Sequence, residues 1–183
     1  MKTTYALVAL LAVACHDSAG ASPSPPKGVT PESITVSSST FASNGSIPAA
    51  NTCDGAGQSP ELSWTAMPSS AKTIAIVMDD PDAPMGTFTH WILWNIAPDT
   101  RQLGVGGNGG LAGGMAGTND FGEVGFGGPC PPKGKLHHYH LKVYGLDAKL
   151  SLKQSDKRSD LDKAMSGHVV AQGELVGRSS TES

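Results

Sequence analysis

Thr73-Ile74-Ala75-Ile76-Val77-Met78-Asp79-Asp80-Pro81-Asp82-Ala83-Pro84 passes from an unbroken apolar run into carboxylates and prolines, and that order decides the fold. A short apolar run bounded by turn residues reads as a buried strand. Pro81 and Pro84 fix φ and lack N–H groups, so the ladder stops and the chain must turn. Side chains alternate across a strand, which places Asp80 on the side of Ile74, Ile76 and Met78. A buried row therefore ends in a carboxylate at the rim of a sheet. Thr89 to Ile96 reads as the next strand, with His90 at its start on the side of Ile92, Trp94 and Ile96.

Working outward, the same pattern marks strands at Ser33 to Ser37, Glu61 to Thr65, Tyr139 to Leu146 and Gly173 to Val176. At the start of the Tyr139 strand, His137 and Tyr139 share a face that continues into Leu141 and Val143. His138 and His140 point the other way with Lys142 and Tyr144. Helical periodicity is clear once: Ser159 with Asp162 resembles a capping box, and Leu161, Ala164, Met165 and His168 then share a face. His168 reads as a core or rim histidine. With 23 Gly and 13 Pro in 183 residues, turns and long connections outweigh helices. The expected fold is all-β, a sandwich with one or two short peripheral helices. A net charge of −3 gives no sign of a nucleic-acid surface.

The N-terminus suggests export. Lys2 precedes an apolar run from Ala6 to Ala14, as in a signal peptide, and the run is too short to span a bilayer. Ala12-Val13-Ala14-Cys15 resembles a bacterial lipobox, with Ala12 where Leu is usual, so lipidation at Cys15 and plain secretion are both readings of it. The resulting division is a signal peptide over 1–14, a tether rich in Ser, Pro, Ala and Gly over 15–31, a domain over 32–178 and a tail over 179–183. Cys53 and Cys130 are then left for an oxidising compartment, either bridged or as two buried thiols.

Several chemistries are disfavoured. Gly104-Val105-Gly106-Gly107-Asn108-Gly109 matches a dinucleotide fingerprint in letters, but more glycine follows where a helix should open. An EF-hand loop starting at Asp80 would place Met85 where Gly is required and Trp91 where Glu is required. No HExxH or paired CxxC spacing supports zinc at His90 and His137, and no GxSxG elbow supports a serine hydrolase. No metal or other cofactor is expected. Gly104 to Gly128 reads as a long surface loop leading toward the polar residues. Asp82 has a local Asx-turn role as its alternative to ligand contact.

With these residues placed, the chain resembles the phosphatidylethanolamine-binding protein family, also called Raf kinase inhibitor-like proteins, and specifically its bacterial branch. The resemblance spans roughly Ile34 to Val176. It rests on Cys53-Asp54-Gly55 with Ser59-Pro60-Glu61-Leu62-Ser63-Trp64, then Asp80-Pro81-Asp82-Ala83-Pro84 with His90-Trp91. Gly127-Gly128-Pro129-Cys130-Pro131-Pro132-Lys133-Gly134 with His137-His138-Tyr139 follows, and Ala164-Met165-Ser166-Gly167-His168-Val169 closes it. His138 stands where the family commonly has Arg. The resemblance implies a sandwich of Greek-key character with a small pocket for phosphate-like anions or phosphorylated headgroups. Carried over by position, the ligand-binding residues are Asp80, Asp82, His90, Gly128, Pro131, Pro132, His137 and Tyr139.

The expected function is non-enzymatic binding of a phosphorylated or anionic small molecule or lipid headgroup by an exported protein of the cell envelope or periplasm. Its contact with a membrane would be through a lipid on Cys15 alone. A protease or kinase inhibitor-like role toward a protein partner is implied by the resemblance. The rival is a hydrolase using the same His and Asp residues as acid and base or as metal ligands.

Overall fold

A computed structural model describes residues 23–107 and 113–181. The signal-peptide and Cys15 expectations lie outside these residues, as does part of the 104–109 glycine run. The larger sheet contains β1 (Glu32–Ser33), β3 (Gly45–Ser46), β5 (Thr73–Asp80), β6 (Phe88–Ile96), β8 (Met115–Ala116), β9 (Leu136–Leu146) and β10 (Val169–Ser180). Its order is β1-β10-β9-β5-β6-β8, with β3 also beside β10. A smaller sheet, β2-β4-β7, is built from Val36–Ser37, Leu62–Trp64 and Gln102–Leu103.

β5 lies mid-sheet and is buried along its whole length, as its continuous apolar run requires. Ile74, Ile76 and Met78 meet Leu62, Trp64 and Leu103 between the sheets. Ala75 and Val77 face the opposite side, where α1 (Arg158–Met165) covers them with Leu161 and Met165. Each fully buried side chain of this size contributes about 2 kcal/mol through water exclusion. The architecture is the expected β-sandwich with a peripheral helix. Gly173 lets the chain around Ile34 cross directly over β10, because a Cβ there would collide with the Ile34 carbonyl oxygen.

The structure moves several boundaries. β10 continues to Ser180, pairing Ser179 with His137 and Ser180 with Leu136, so the end of the domain replaces the start of the expected tail. The supposed tether is engaged at Ser24, whose carbonyl accepts the Gly167 N–H at 2.8 Å. The helix begins before Ser159: Lys157 is its N-cap, and Asp160 accepts the Lys157 N–H at 3.1 Å. His168 falls beyond the helix at the rim, where Nδ1 donates to Asp147 at 2.8 Å.

Strand β6 holds the correction that matters for function. Met78 pairs with Trp91 and Asp79 with Thr89, so His90 is an extra residue bulged out of the ladder. A second bulge opposite Ala75 includes Asn95, at φ 58°. A bulge puts adjacent side chains on one face, so the alternation expected for β6 fails. Ile92 and Trp94 pack toward α1, while Trp91, Leu93 and Ile96 pack between the sheets. His90 goes with Trp91, not with Ile92 and Trp94.

Candidate functional site

Because of that bulge, His90 turns toward the edge of the sandwich where β5 and β9 each end in a polar residue. Asp80, His90, His137 and Tyr139 converge on a cavity of about 190 Å³. Its walls are Ala83 and Pro84 from the turn after β5, Pro131 and Pro132 from the Pro-rich turn, Cys130, Phe88 and Phe121. All four polar residues are buried.

Each polar group has a fixed orientation. His137 donates from Nδ1 to Asp80 Oδ2 at 2.7 Å, and the other Asp80 oxygen accepts the Asp82 N–H at 2.9 Å. Asp80 is therefore the Asx-turn residue, where the sequence had suggested Asp82. His90 donates from Nδ1 to the Gly127 carbonyl at 2.8 Å. This sets the neutral ring's tautomer and leaves Nε2 as its free nitrogen. Burial lowers the His90 pKa below the ordinary value, outweighing the opposite pulls of the Gly127 carbonyl and of Asp80, Asp79 and Asp120. The buried Tyr139 hydroxyl meets no partner at full hydrogen-bond geometry among the described residues, although the Asp80 carboxylate lies close enough to act on it. Burial first, and then the Asp80 charge, raise its pKa, so it stays a protonated donor.

Two expected site residues sit elsewhere. Asp82 points to the opposite side of β9, where it accepts the His138 N–H at 2.8 Å and the His138 Nδ1–H at 2.7 Å. That side-chain hydrogen bond is the main reason its pKa is lowered. Gly128 packs on the Asn51–Thr52 backbone, which a Cβ would approach to 3.1 Å, and serves close packing. The Pro-rich wall is fastened to the same segment by the Cys53–Cys130 disulfide, with a Cα separation of 5.4 Å, and by the Cys53 N–H donating to the Pro129 carbonyl. The bridge left open by the sequence is thus present and anchors a wall of the cavity.

Sequence reasoning missed Phe88 and Phe121. Phe121 comes from the glycine-rich loop, where no periodicity marks it. Buried Asn119 folds that loop by accepting the Phe121 and Glu123 N–H groups on Oδ1. Phe121 then lies on Gly127 and meets Phe88 and His90 edge-on, with centroid separations of 4.7 and 5.4 Å. Its only signal in the sequence is an aromatic residue flanked by turn residues.

Asp79, next to Asp80, faces a separate cleft of about 620 Å³ beside α1. There it accepts from Thr89 Oγ1 at 3.2 Å and pairs with Arg158 at 3.2 Å and Lys142 at 3.4 Å. Arg158 also pairs with Asp162, so two cations balance two carboxylates there. Among the described residues, no cluster of three or more His, Cys, Asp or Glu could hold a metal ion, and no helix is long and apolar enough to cross a membrane.

The model of a family described as phosphatidylethanolamine-binding protein matches residues 37–180. The UPF0098 protein PH1269 of Pyrococcus horikoshii is 50% identical over 145 residues, covering 76% of this chain and 73% of its own. LppC of Mycobacterium tuberculosis, whose name calls it a lipoprotein, is 37% identical over 147 residues, covering 80% and 72%. Two solved structures share the fold at a TM-score of 0.76. One is CT736 of Chlamydia trachomatis, titled a phosphatidylethanolamine-binding protein homologue, at 33% identity and covering 82% of this chain and 99% of its own. The other is YbcL of E. coli, titled a new member of the mammalian PEBP family, at 30% identity and covering 81% and 98%.

Proposed function

Since this chain belongs to the phosphatidylethanolamine-binding protein family, we propose that it is a binding protein whose edge cavity receives a small phosphate-like anion, free or as a phosphorylated headgroup. The observation that carries this reading is the buried Tyr139 hydroxyl, short of a well-formed hydrogen bond, in a cavity whose two imidazoles are each tied at Nδ1. A buried donor without an acceptor costs about 1–3 kcal/mol, which an oxyanion at this point would recover. Asp80 orients His137 and does not meet the anion, since a carboxylate has no donor to offer and carries the same charge.

Binding is favoured over hydrolysis by the lining itself. Among the described residues it contains no Ser or Thr, Cys130 is spent in the disulfide, and Tyr139 is held protonated. No hydroxyl or thiol among these side chains is an activated nucleophile. Export and a lipid anchor at Cys15 belong to the same proposal, supported by the disulfide and by the lipoprotein name of the Mycobacterium tuberculosis relative. Titration calorimetry with inorganic phosphate and phosphoethanolamine tests the binding reading. Saturable heat that disappears in Asp80→Asn and in His137→Gln, both still folded, supports it. Undiminished binding in both variants would refute it.

A further inference from the structure

An oxyanion entering the cavity needs donors or a compensating positive charge. Among the described residues no Lys or Arg lines the cavity, and Pro84, Pro131 and Pro132 have no N–H to offer. Tyr139 supplies one donor, and His137, the other imidazole of the lining, gives its Nδ1–H to Asp80. His90, with its proton committed to the Gly127 carbonyl, presents a lone pair at Nε2. A lone pair facing an oxyanion repels it, and neutral His90 has no second proton to give.

We infer that the cavity takes up one proton with each oxyanion it binds, and that this proton lies between His90 Nε2 and a ligand oxygen. The inference rests on the anion-binding reading above and deepens it. Of the groups around His90, Asp80 from β5 and His137 and Tyr139 from β9 share its cavity, while Asp79 from β5 and Asp120 from the loop after β8 act on it from the neighbouring cleft. The carboxylates favour a charged ring, while burial keeps the ring neutral in the empty cavity. An arriving anion adds the missing negative charge and tips the balance.

The proton selects among ligands. A phosphomonoester, with a second pKa of about 6, can bring it along. A phosphodiester or sulfate has none to bring near neutrality, so solvent must charge His90 instead. Above neutral pH, uptake of one proton makes affinity for phosphate fall about tenfold per pH unit.

Calorimetry at pH 8 in two buffers of different ionisation enthalpy counts the protons directly. Inorganic phosphate and phosphoethanolamine should each draw close to one proton per anion from the buffer, and the uptake should vanish in folded His90→Gln. Glycerophosphoethanolamine and sulfate should bind at least about tenfold more weakly, by the cost of charging a buried ring. Tighter binding of phosphoethanolamine than of phosphate would identify an amine-bearing phosphomonoester as the source, and the reverse the free ion. Heat that does not depend on the buffer, uptake persisting in His90→Gln, or equal affinities for monoester and diester would overturn the inference and leave anion binding standing. No heat with any of the four probes would overturn the binding reading as well.

Discussion

Removing the Cys53–Cys130 bridge is the most quantitative perturbation the structure offers. The bridge closes a loop with a sequence separation of 77. Chain-entropy arithmetic for a loop of that length gives about 4.5 kcal/mol at 25 °C, nearly all of it from the unfolded state. With a urea m-value of about 2 kcal/mol/M, the Cys53→Ala/Cys130→Ala variant should unfold about 2 M earlier than the oxidised protein. The bridge also holds the segment from Pro129 to Pro132, so the double variant should bind phosphate more weakly even where it is fully folded. The assay is urea unfolding followed by tryptophan fluorescence, with Trp91 and Trp94 as deeply buried reporters. A midpoint shift below about 0.5 M, or unchanged phosphate affinity, would refute the reasoning.

Other perturbations separate the faces of the sheet. Asp79→Asn should cost about 2 kcal/mol through its lost pairs with Arg158 and Lys142, whereas Asp80→Asn should chiefly lose phosphate binding. Equal loss of binding in both would count against opposed faces. Because His90 has a lowered pKa when folded, the unfolded chain binds the extra proton first as pH falls. Stability should therefore rise with pH up to about 6.5, and His90→Gln should flatten that slope in urea midpoints taken at pH 5.5 and 7.5. Gly173→Ala should destabilise by about 1–3 kcal/mol, measured in the same way, because the Ile34 backbone has no room to retreat. Asp82→Ala, at an exposed pair with His138, should cost less than about 1 kcal/mol, and a larger loss would mean that this contact organises the turn.

The long strands were legible, as were the outward row His138–His140–Lys142 and the inward pair His137–Tyr139, because β9 alternates without interruption; two-residue β3, β7 and β8 were not, and the expected Ser33 to Ser37 strand is split between β1 and β2 in different sheets. Asp80 was legible for the same reason, since its face follows directly from Ile74, Ile76 and Met78. The family resemblance rested on residues that the fold does assemble: Asp80, His90, Pro131, Pro132, His137 and Tyr139 all line the cavity.

Sequence by itself determined the sandwich, the strand order of burial along β5 and β9, and the chemical types that meet at the edge, because these depend on local period and turn chemistry. Tertiary structure alone decided which way His90 points, that Phe121 closes one side of the cavity, and that Asp82 and Gly128 serve structure outside it. The reason is that a bulge exists only relative to a partner strand: His90 is extra against Met78 and Asp79, residues whose pairing with β6 is fixed by the whole sheet. Likewise, a glycine-rich loop has no period of its own, so its path is set by what Asn119 and Gly127 can reach once the strands are in place.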